Sequence, residues 1–293
     1  MRREGLAIKI ALAAGFLAML AGARAARPPQ GLVALAPAID FTGGGWRVRV
    51  LTWNIGDAYG KEDSRARDEN LPAVARVIEA ERPDVAALQE LSGRRQLRGL
   101  LAQLGGEYQG FLDEGGDADR FAGILVRAPK MEFRSIRTGT GRNASAAIFR
   151  VARSPLTICA ISAHAEAWDP AARLEYTSEI LDWVRARKDD VVFLAGDFNF
   201  DVSARQGGGM IFTSNPAADG RTYARVTRTF RDLGKEGGGT AAFGRRIDYV
   251  FGRGERLRVK RAQVLAGRRS GRMDHDPLVV DAVIPKPVVV THR

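Results

Sequence analysis

Five apolar runs bounded at one end by carboxylates or amides constrain this chain more than any other feature. They are LTWN (Leu51 to Asn54), VAALQE (Val85 to Glu90), VVFLAGDFN (Val191 to Asn199), RIDYVF (Arg246 to Phe251) and MDHDPLVV (Met273 to Val280). A short continuous run rich in Val, Ile, Leu and Phe reads as a strand buried on both faces. A carboxylate in the middle of such a strand is costly, whereas at its end the group reaches solvent, a metal or a phosphate. Such strands therefore predict a buried sheet core whose polar residues gather at strand ends. Helical spacing is expected from Asn70 to Glu81, through Leu71, Val74, Val77 and Ile78, and from Pro170 to Arg187, through Leu174, Ile180, Leu181 and Val184. Further strands are expected at 121–127, 146–151, 156–162, 257–265 and 278–284. Periodicity alone gives a mixed α/β class.

The strand-end residues define a candidate site. Glu90, Asp197, Asp248 and Asp274 are hard oxygen donors, and Asn54 and Asn199 add amides that both donate and accept. Such donors suit Mg²⁺, Mn²⁺ or Ca²⁺ better than zinc. With one cysteine, Cys159, and no HExxH segment, a thiolate or zinc-protease centre is excluded. Three histidines are present, and two of them, His164 and His275, fall at strand ends or among acids. Taken singly, each piece also has a structural reading. GDFN fits a turn whose polar side chains bond nearby backbone, His164 fits a satisfied core imidazole, and DHD fits a hydrogen-bonded turn.

Taken together and in order, WNI, LQE, a mid-chain histidine after a strand, GDFN, RIDYVF and DHDP resemble the endonuclease/exonuclease/phosphatase superfamily. That group contains deoxyribonuclease I-like enzymes, abasic-site endonucleases, inositol polyphosphate phosphatases and neutral sphingomyelinases. The resemblance spans about residues 48–284. It implies a four-layer sandwich of two facing mixed β-sheets flanked by helices, with the site at one end. It further implies that Glu90 is a principal ligand of Mg²⁺, with Mn²⁺ or Ca²⁺ as substitutes, and that Asp274 and Asn54 complete the metal and phosphate environment. Asp197 would orient or deprotonate the attacking water, and Asn199 would hold a phosphoryl oxygen. His275, paired with Asp248, would bind and neutralise the phosphate, and His164 would stabilise the pentacovalent state or protonate the leaving oxygen. Arg142 matches the place of a phosphate-contacting arginine in several nucleases of the group, and it also fits a solvated loop residue. Two departures stand out: Gly56 replaces an acidic ligand of the abasic-site endonucleases, and GGDADR offers Asp119 and Arg120 where many nucleases carry a tyrosine.

The chemistry wants such a set independently. In-line attack on a phosphodiester adds negative charge to anionic oxygens, which a cation, an imidazolium and amide donors can meet.

Residues 1–25 read as a secretory signal peptide, with Arg2, Arg3 and Lys9 before an apolar run and Ala23-Arg24-Ala25 as a small-x-small cleavage pattern. The run is too short for an ordinary bilayer span, so no stable membrane anchor is expected. Residues 26–45 read as a linker, 46–285 as a single catalytic domain and 286–293 as a tail, and a secreted or periplasmic monomer is expected. The full chain carries a formal charge of +11, and removing the leader with its four basic and one acidic residues leaves +8. Arginines and Lys260 crowd the sequence around Asp248 and Asp274, from Arg245 to Arg272, which predicts a field that attracts a polyanion; a solvated basic face gives the same pattern. The function expected is a secreted Mg²⁺-dependent phosphodiesterase, a nuclease acting on DNA and possibly RNA. The alternatives are a phospholipid or inositol phosphate hydrolase of the same group, and an inactive secreted binding module or toxin subunit. RRIDYV lacks the PxWCDR-type signature of inositol polyphosphate phosphatases, and no aromatic hairpin is read for membrane entry.

Overall fold

The strands stack as two facing sheets. The computed structural model describes residues 40–42, 45–57, 66–116, 120–150, 156–202, 215–255 and 257–285. The segments expected to be a signal peptide and a tail, most of the expected linker, and Asp119 lie outside the described residues. The first sheet holds β1 (Asp40–Thr42), β2 (Gly45–Asn54), β3 (Val85–Leu91), β4 (Gln109–Leu112), β5 (Phe121–Val126), β12 (Arg258–Val264) and β13 (Leu278–Pro285). Its path runs β12-β13-β2-β3-β5-β4, with β1 paired to the start of β2. The second sheet holds β6 (Met131–Ile136), β7 (Ala144–Arg150), β8 (Thr157–His164), β9 (Val191–Asp197), β10 (Arg231–Asp232) and β11 (Asp248–Gly254). Its order is β10-β11-β9-β8-β7-β6. Each sheet carries one parallel pair, β2 with β3 and β8 with β9, among antiparallel neighbours. Asp40–Thr42, read from sequence as linker, instead continue the ladder by pairing with Arg47, Trp46 and Gly45.

Among the described residues, four α-helices cover the outer faces: α1 (Leu71–Glu81), α2 (Arg94–Gln103), α3 (Pro170–Arg185) and α4 (Pro216–Thr227). α1 starts with proline in its first turn and ends where Arg82 turns left-handed just before Pro83. α3 and α4 begin alike, with Asp169 and Asn215 accepting the amide hydrogens of Ala171 and Ala218 ahead of Pro170 and Pro216. Helices α2 and α4 go beyond the sequence expectation because their apolar stripes are short, built on Leu97 and Leu100 in one and on Ala218 and Val226 in the other.

Period-two alternation assigns each strand residue to one of three cores. Val48, Val50, Val85, Ala87, Ile158, Ala160, Val191, Phe193, Val250 and Val280 fill the space between the sheets. Leu51, Trp53, Ala86 and Leu88 pack under α1 and α2. Cys159, Ile161, Val192, Leu194, Tyr249 and Phe251 pack under α3 and α4 with Phe198 and Phe200. Along the inter-sheet face the side chains grade from apolar to polar: Val48, Val50, Thr52, Asn54 on β2; Val85, Ala87, Gln89 on β3; Ile158, Ala160, Ser162, His164 on β8; and Val191, Phe193, Ala195, Asp197 on β9. The site is the polar end of the layer that elsewhere is the hydrophobic core.

One glycine is required by this packing. Gly196 has φ 153°, and a Cβ built there would lie 1.9 Å from the Ala163 carbonyl oxygen on the parallel neighbour β8. Gly196→Ala should therefore lower the unfolding free energy by about 3 kcal/mol or push β8 and β9 apart. Urea denaturation of the purified variant measures this, and an unchanged midpoint would contradict the close approach.

Candidate active site

Residues drawn from the five runs, with His164 from a sixth segment, meet at one end of the sandwich. Asn54 and Glu90 come from the first sheet, His164, Asp197 and Asp248 from the second, and Asp274 and His275 from the segment entering β13. β11 pairs Asp248 opposite Asp197, and β8 pairs His164 beside Asp197, so three of these side chains sit on adjacent strands. The Asn54 amide nitrogen joins the two sheets, donating to Glu90 Oε1 at 3.1 Å and to Asp197 Oδ2 at 3.0 Å. His275 Nδ1 lies 2.7 Å from Asp248 Oδ2, and its Nε2 lies 3.8 Å from Asp197 Oδ2 and 3.7 Å from Asp274 Oδ1. His164 Nε2 is 3.7 Å from Glu90 Oε1 and 4.0 Å from Asp197 Oδ2.

The motifs look as they do because alternate residues serve opposite faces. In GDFNF, Asp197 and Asn199 turn to the site while Phe198 and Phe200 join Tyr249 and Phe251 in the core beneath α3 and α4. The Phe198 and Phe251 rings lie 5.3 Å apart, and those of Phe200 and Tyr249 4.7 Å. In WNI, Trp53 faces the opposite side from Asn54, and its Nε1 donates to the His275 carbonyl at 3.0 Å. Glu90 and Asn199 both have left-handed backbones, φ 65° and 53°. Non-glycine residues held there store local strain, which concentrates at functional positions. At Asn199 the turn brings its amide hydrogen to Asp197 Oδ1 at 2.9 Å, fixing that carboxylate.

Electrostatics separates the two imidazoles. His275 is desolvated, which opposes its charge, but the Asp248 charge and hydrogen bond, with Asp197 and Asp274 nearby, raise its pKa to about 10. His164 is pushed well below its usual value, first by burial and then by the charges of Arg142, Arg120 and His275. One imidazole is thus a cation at neutral pH and the other is neutral. Asp197 is raised to about 7, chiefly by burial and next by the Asp248 charge, against the pull of His275 and Asn54.

The donor set fits a divalent cation. Asp197, Asp248 and Asp274 gather around the His275 imidazolium and Glu90 is bridged to Asp197 by Asn54, a surplus of negative charge that hard oxygen-seeking metals neutralise. Asp197, Asp248 and His275 each place one potential ligand atom within 4.8 Å of the others. The His275–Asp248 bond consumes that pair, however, and a protonated imidazole is no ligand, so the fit is better on the Glu90 side. Asn54, expected from sequence to join the metal and phosphate environment, here turns its nitrogen to the acids while its Oδ1 accepts the Gly56 amide hydrogen at 3.0 Å. Asn199 likewise directs its side-chain nitrogen to the Ala165 carbonyl at 3.1 Å, so its visible task is orientation. Arg142 is engaged by Glu166, Nη2 to Oε2 at 2.7 Å, and reaches the site through its charge on His164.

Several supporting residues escaped the sequence reading. The fully buried Arg173 donates to the Glu166 and Ala167 carbonyls at 2.7 and 3.0 Å and to Asp219 Oδ1 at 2.8 Å. Asp219 Oδ2 accepts the Asp201 amide hydrogen at 3.3 Å, and Asp201 accepts that of Arg246 at 3.2 Å. This chain of contacts ties together the loops that follow His164, follow Asn199 and precede Asp248. An arginine on the buried side of a helix start and a buried Asp in NPAADG were the only sequence signals for it. Thr240 is a second such support, its hydroxyl accepting the amide hydrogens of Ile247 and Asp248 at 3.3 and 3.1 Å.

The arginine cluster read from sequence is divided by the fold. Arg246 binds Asp232 at 2.7 Å, Arg261 binds Glu81 at 3.0 Å and Arg269 binds Asp276 at 2.6 Å. Arg253 and Arg258 lie at the ends of β11 and β12 remote from Asp248, because each strand runs the length of its sheet.

The Asp248–His275 pair makes one direct prediction. Asp248→Asn removes the charge that holds the imidazolium, so the His275 pKa should fall from about 10 toward or below the ordinary histidine range. A ¹⁵N NMR titration reads this, and an unshifted His275 in the variant would show that Asp248 is not its governing partner.

Comparison with known proteins places this geometry. The profile of the Endonuclease/Exonuclease/phosphatase family matches residues 51–270. No curated protein sequence matches the chain. Among solved structures, an endonuclease/exonuclease/phosphatase from Bacteroides vulgatus has TM-score 0.64 at 18% identity, covering 80% of this chain and 98% of its own. The human Nocturnin catalytic domain with bound sulfate has TM-score 0.62 at 20% identity, covering 80% and 94%. A mannosyl-6-phosphatase from Bacteroides thetaiotaomicron has TM-score 0.61 at 19% identity, covering 81% and 100%. These likenesses show the four-layer fold, and the profile match over most of the sequence shows that the chain belongs to the endonuclease/exonuclease/phosphatase family, whose members hydrolyse phosphate esters.

Proposed function

We infer that this protein is an exported, Mg²⁺-dependent phosphodiesterase that cleaves nucleic acid, DNA before RNA. The carrying observation is the pairing of a buried imidazolium, His275 on Asp248, with a second carboxylate, Asp197, whose pKa of about 7 suits a proton acceptor at neutral pH. His275 Nε2 donates to a non-bridging phosphoryl oxygen and meets the charge that grows there in the transition state. Asp197, held by the Asn54 side chain and the Asn199 backbone, orients a water and takes its proton. Neutral His164 faces the same space from the Glu90 side and contacts the phosphoryl or leaving oxygen. A divalent cation held by Glu90 with Asp274 alongside supplies further charge neutralisation when bound.

Several features support a polyanionic substrate. Arg120 and Arg142 both act on His164, the chain remains strongly basic without its leader, and Arg268 and Arg272 are exposed on the loop that delivers Asp274. The leader at 1–25 supports export, and among the described residues no helix is long and apolar enough to cross a membrane.

The purified protein should nick supercoiled plasmid with Mg²⁺ and stop in EDTA. Asp197→Ala and His275→Ala should each cut turnover by about 10²- to 10⁴-fold while circular dichroism stays unchanged. Near-normal rates in Asp197→Ala would refute its assigned role. Phosphocholine or inorganic phosphate released from lipid or inositol substrates, with plasmid untouched, would move the assignment to those substrates.

Linkage gives a further test. The Asp197 pKa is raised from 3.8 to about 7, so in EDTA-treated protein the stability tied to its protonated form is full below pH about 4 and is lost as pH rises through about 7. Mg²⁺ binds the ionised cluster, so it should raise Tm more at pH 8 than at pH 5. Equal shifts at both pH values would place the cation elsewhere.

A further inference from the structure

Two large aromatic side chains stand in solvent on loops that border the site. Phe243 is 72% exposed and Trp168 is 68% exposed, although most of the other aromatics are packed in the three cores. Trp168 lies four residues beyond His164, on the loop leaving β8. Phe243 lies five residues before Asp248, on the loop entering β11. β9 runs between these strands and ends in Asp197. Neighbouring strands are about 4.8 Å apart, so the two loops leave the sheet about 10 Å from each other on either side of Asp197.

The Phe243 loop is built to hold that ring out. Thr240 and Ala241 both donate backbone hydrogen bonds to the Arg245 carbonyl, at 2.8 and 2.9 Å, closing a tight loop. Closure requires glycine at 239, where a Cβ would lie 2.5 Å from the Gly244 carbonyl oxygen. The loop is also fastened to the catalytic segment: Ala242 N–H donates to the Asp274 carbonyl at 3.0 Å, and Asp276 N–H to the Thr240 carbonyl at 2.7 Å. Through the Thr240 hydroxyl it holds the backbone of Asp248 as well. At its tip Phe243 has φ 63° and ψ 21°, a left-handed conformation unusual for a bulky residue. A fold that accepts this strain and also exposes a phenyl ring gains nothing in stability from either.

We propose that Phe243, with Trp168 across the site, is a stacking platform for the bases flanking the scissile phosphate, which makes single-stranded or locally unstacked nucleic acid the preferred substrate. This rests on the nuclease reading and adds the strand preference. Every base offers a π-face, so exposed aromatics beside a phosphate site recognise nucleic acid without reading its sequence. A sugar phosphate offers no π-face and meets such rings only through its C–H groups. A lipid surface would call for a continuous apolar patch, whereas the neighbours here are Glu166 and Asp169 beside Trp168 and glycines and Arg245 beside Phe243.

The test uses the full mature protein and two ten-nucleotide DNA single strands, one with all its bases and one with tetrahydrofuran residues flanking a central phosphodiester. Phe243→Ala should raise KM for the base-bearing strand about 5- to 150-fold, the range expected for one lost stacked base, with little change in kcat. It should leave KM at the base-free phosphodiester unchanged, and Phe243→Trp should restore wild-type KM. Phe243→Gly should keep or raise Tm while showing the same KM defect, because it relieves the backbone. If wild-type and Phe243→Ala enzymes cleave the base-bearing strand with equal KM, the platform is wrong and the nuclease reading stands. If the wild type hydrolyses other phosphate esters but neither nucleic acid, both readings fall. Loss of binding to anionic phospholipid vesicles in Phe243→Ala, with unchanged KM on DNA, would make the ring a membrane contact and overturn the proposal.

Discussion

The site depends on the docking of two sheets. Neither sheet carries it alone: the first contributes Asn54 and Glu90, and the second His164, Asp197 and Asp248. The Asn54 side chain spans the gap with one nitrogen shared between two carboxylates. Just below it, Gln89 of the first sheet donates to Ser162 of the second at 3.2 Å and receives Thr52 at 3.4 Å. Deeper still the layer is entirely apolar. This order follows from solvation, since the polar bridges can be satisfied near the open end, whereas the depth of the layer must be dry. The hydrophobic contact sets the sheet separation, and the bridges convert it into fixed distances between catalytic groups.

Holding so many carboxylates together is unfavourable without compensation. Asp197 shows this in a pKa raised first by burial and next by the Asp248 charge, and the site adds backbone strain at Glu90 and Asn199, whose left-handed conformations glycine would adopt more readily. His275 offsets part of the charge, and a divalent cation would offset more. The cost is carried by supports outside the site: the buried Arg173–Asp219 pair under two loops, Thr240 under Asp248, and Trp53 under the His275 carbonyl. Each contributes bonds to backbone, so side chains that never meet a substrate define where the reacting groups point.

Much of the fold was readable because alternation is local. The runs ending at Asn54, Glu90 and Asp197 become strands with those residues at the site, and the four-layer arrangement implied by family resemblance is the one observed. Helices α2 and α4 were harder, because their few buried positions do not fill a helical period and tertiary contact completes their stability. The charge pattern misled for a related reason. Arginines along β11 and β12 run away from the site, and Arg246, Arg261 and Arg269 are each held by a carboxylate, of Asp232, Glu81 and Asp276 in turn. The exposure of Phe243 was not legible either, since it depends on a loop closed by backbone bonds and a glycine contact that no periodicity reports.

By itself the sequence determined which side chains are available and which faces of the strands they occupy, because residue chemistry and a period of two are properties of the chain alone. It thereby determined that acids, amides and imidazoles end the buried strands. Only the tertiary structure decided which of them touch. The choice of the Asn54 nitrogen over its oxygen, the split between a charged His275 and a neutral His164, and the commitment of Arg142 to Glu166 all arise from distances of a few ångströms between residues far apart in sequence. Electrostatic and hydrogen-bond energies change steeply over that range, which is why they follow packing rather than pattern.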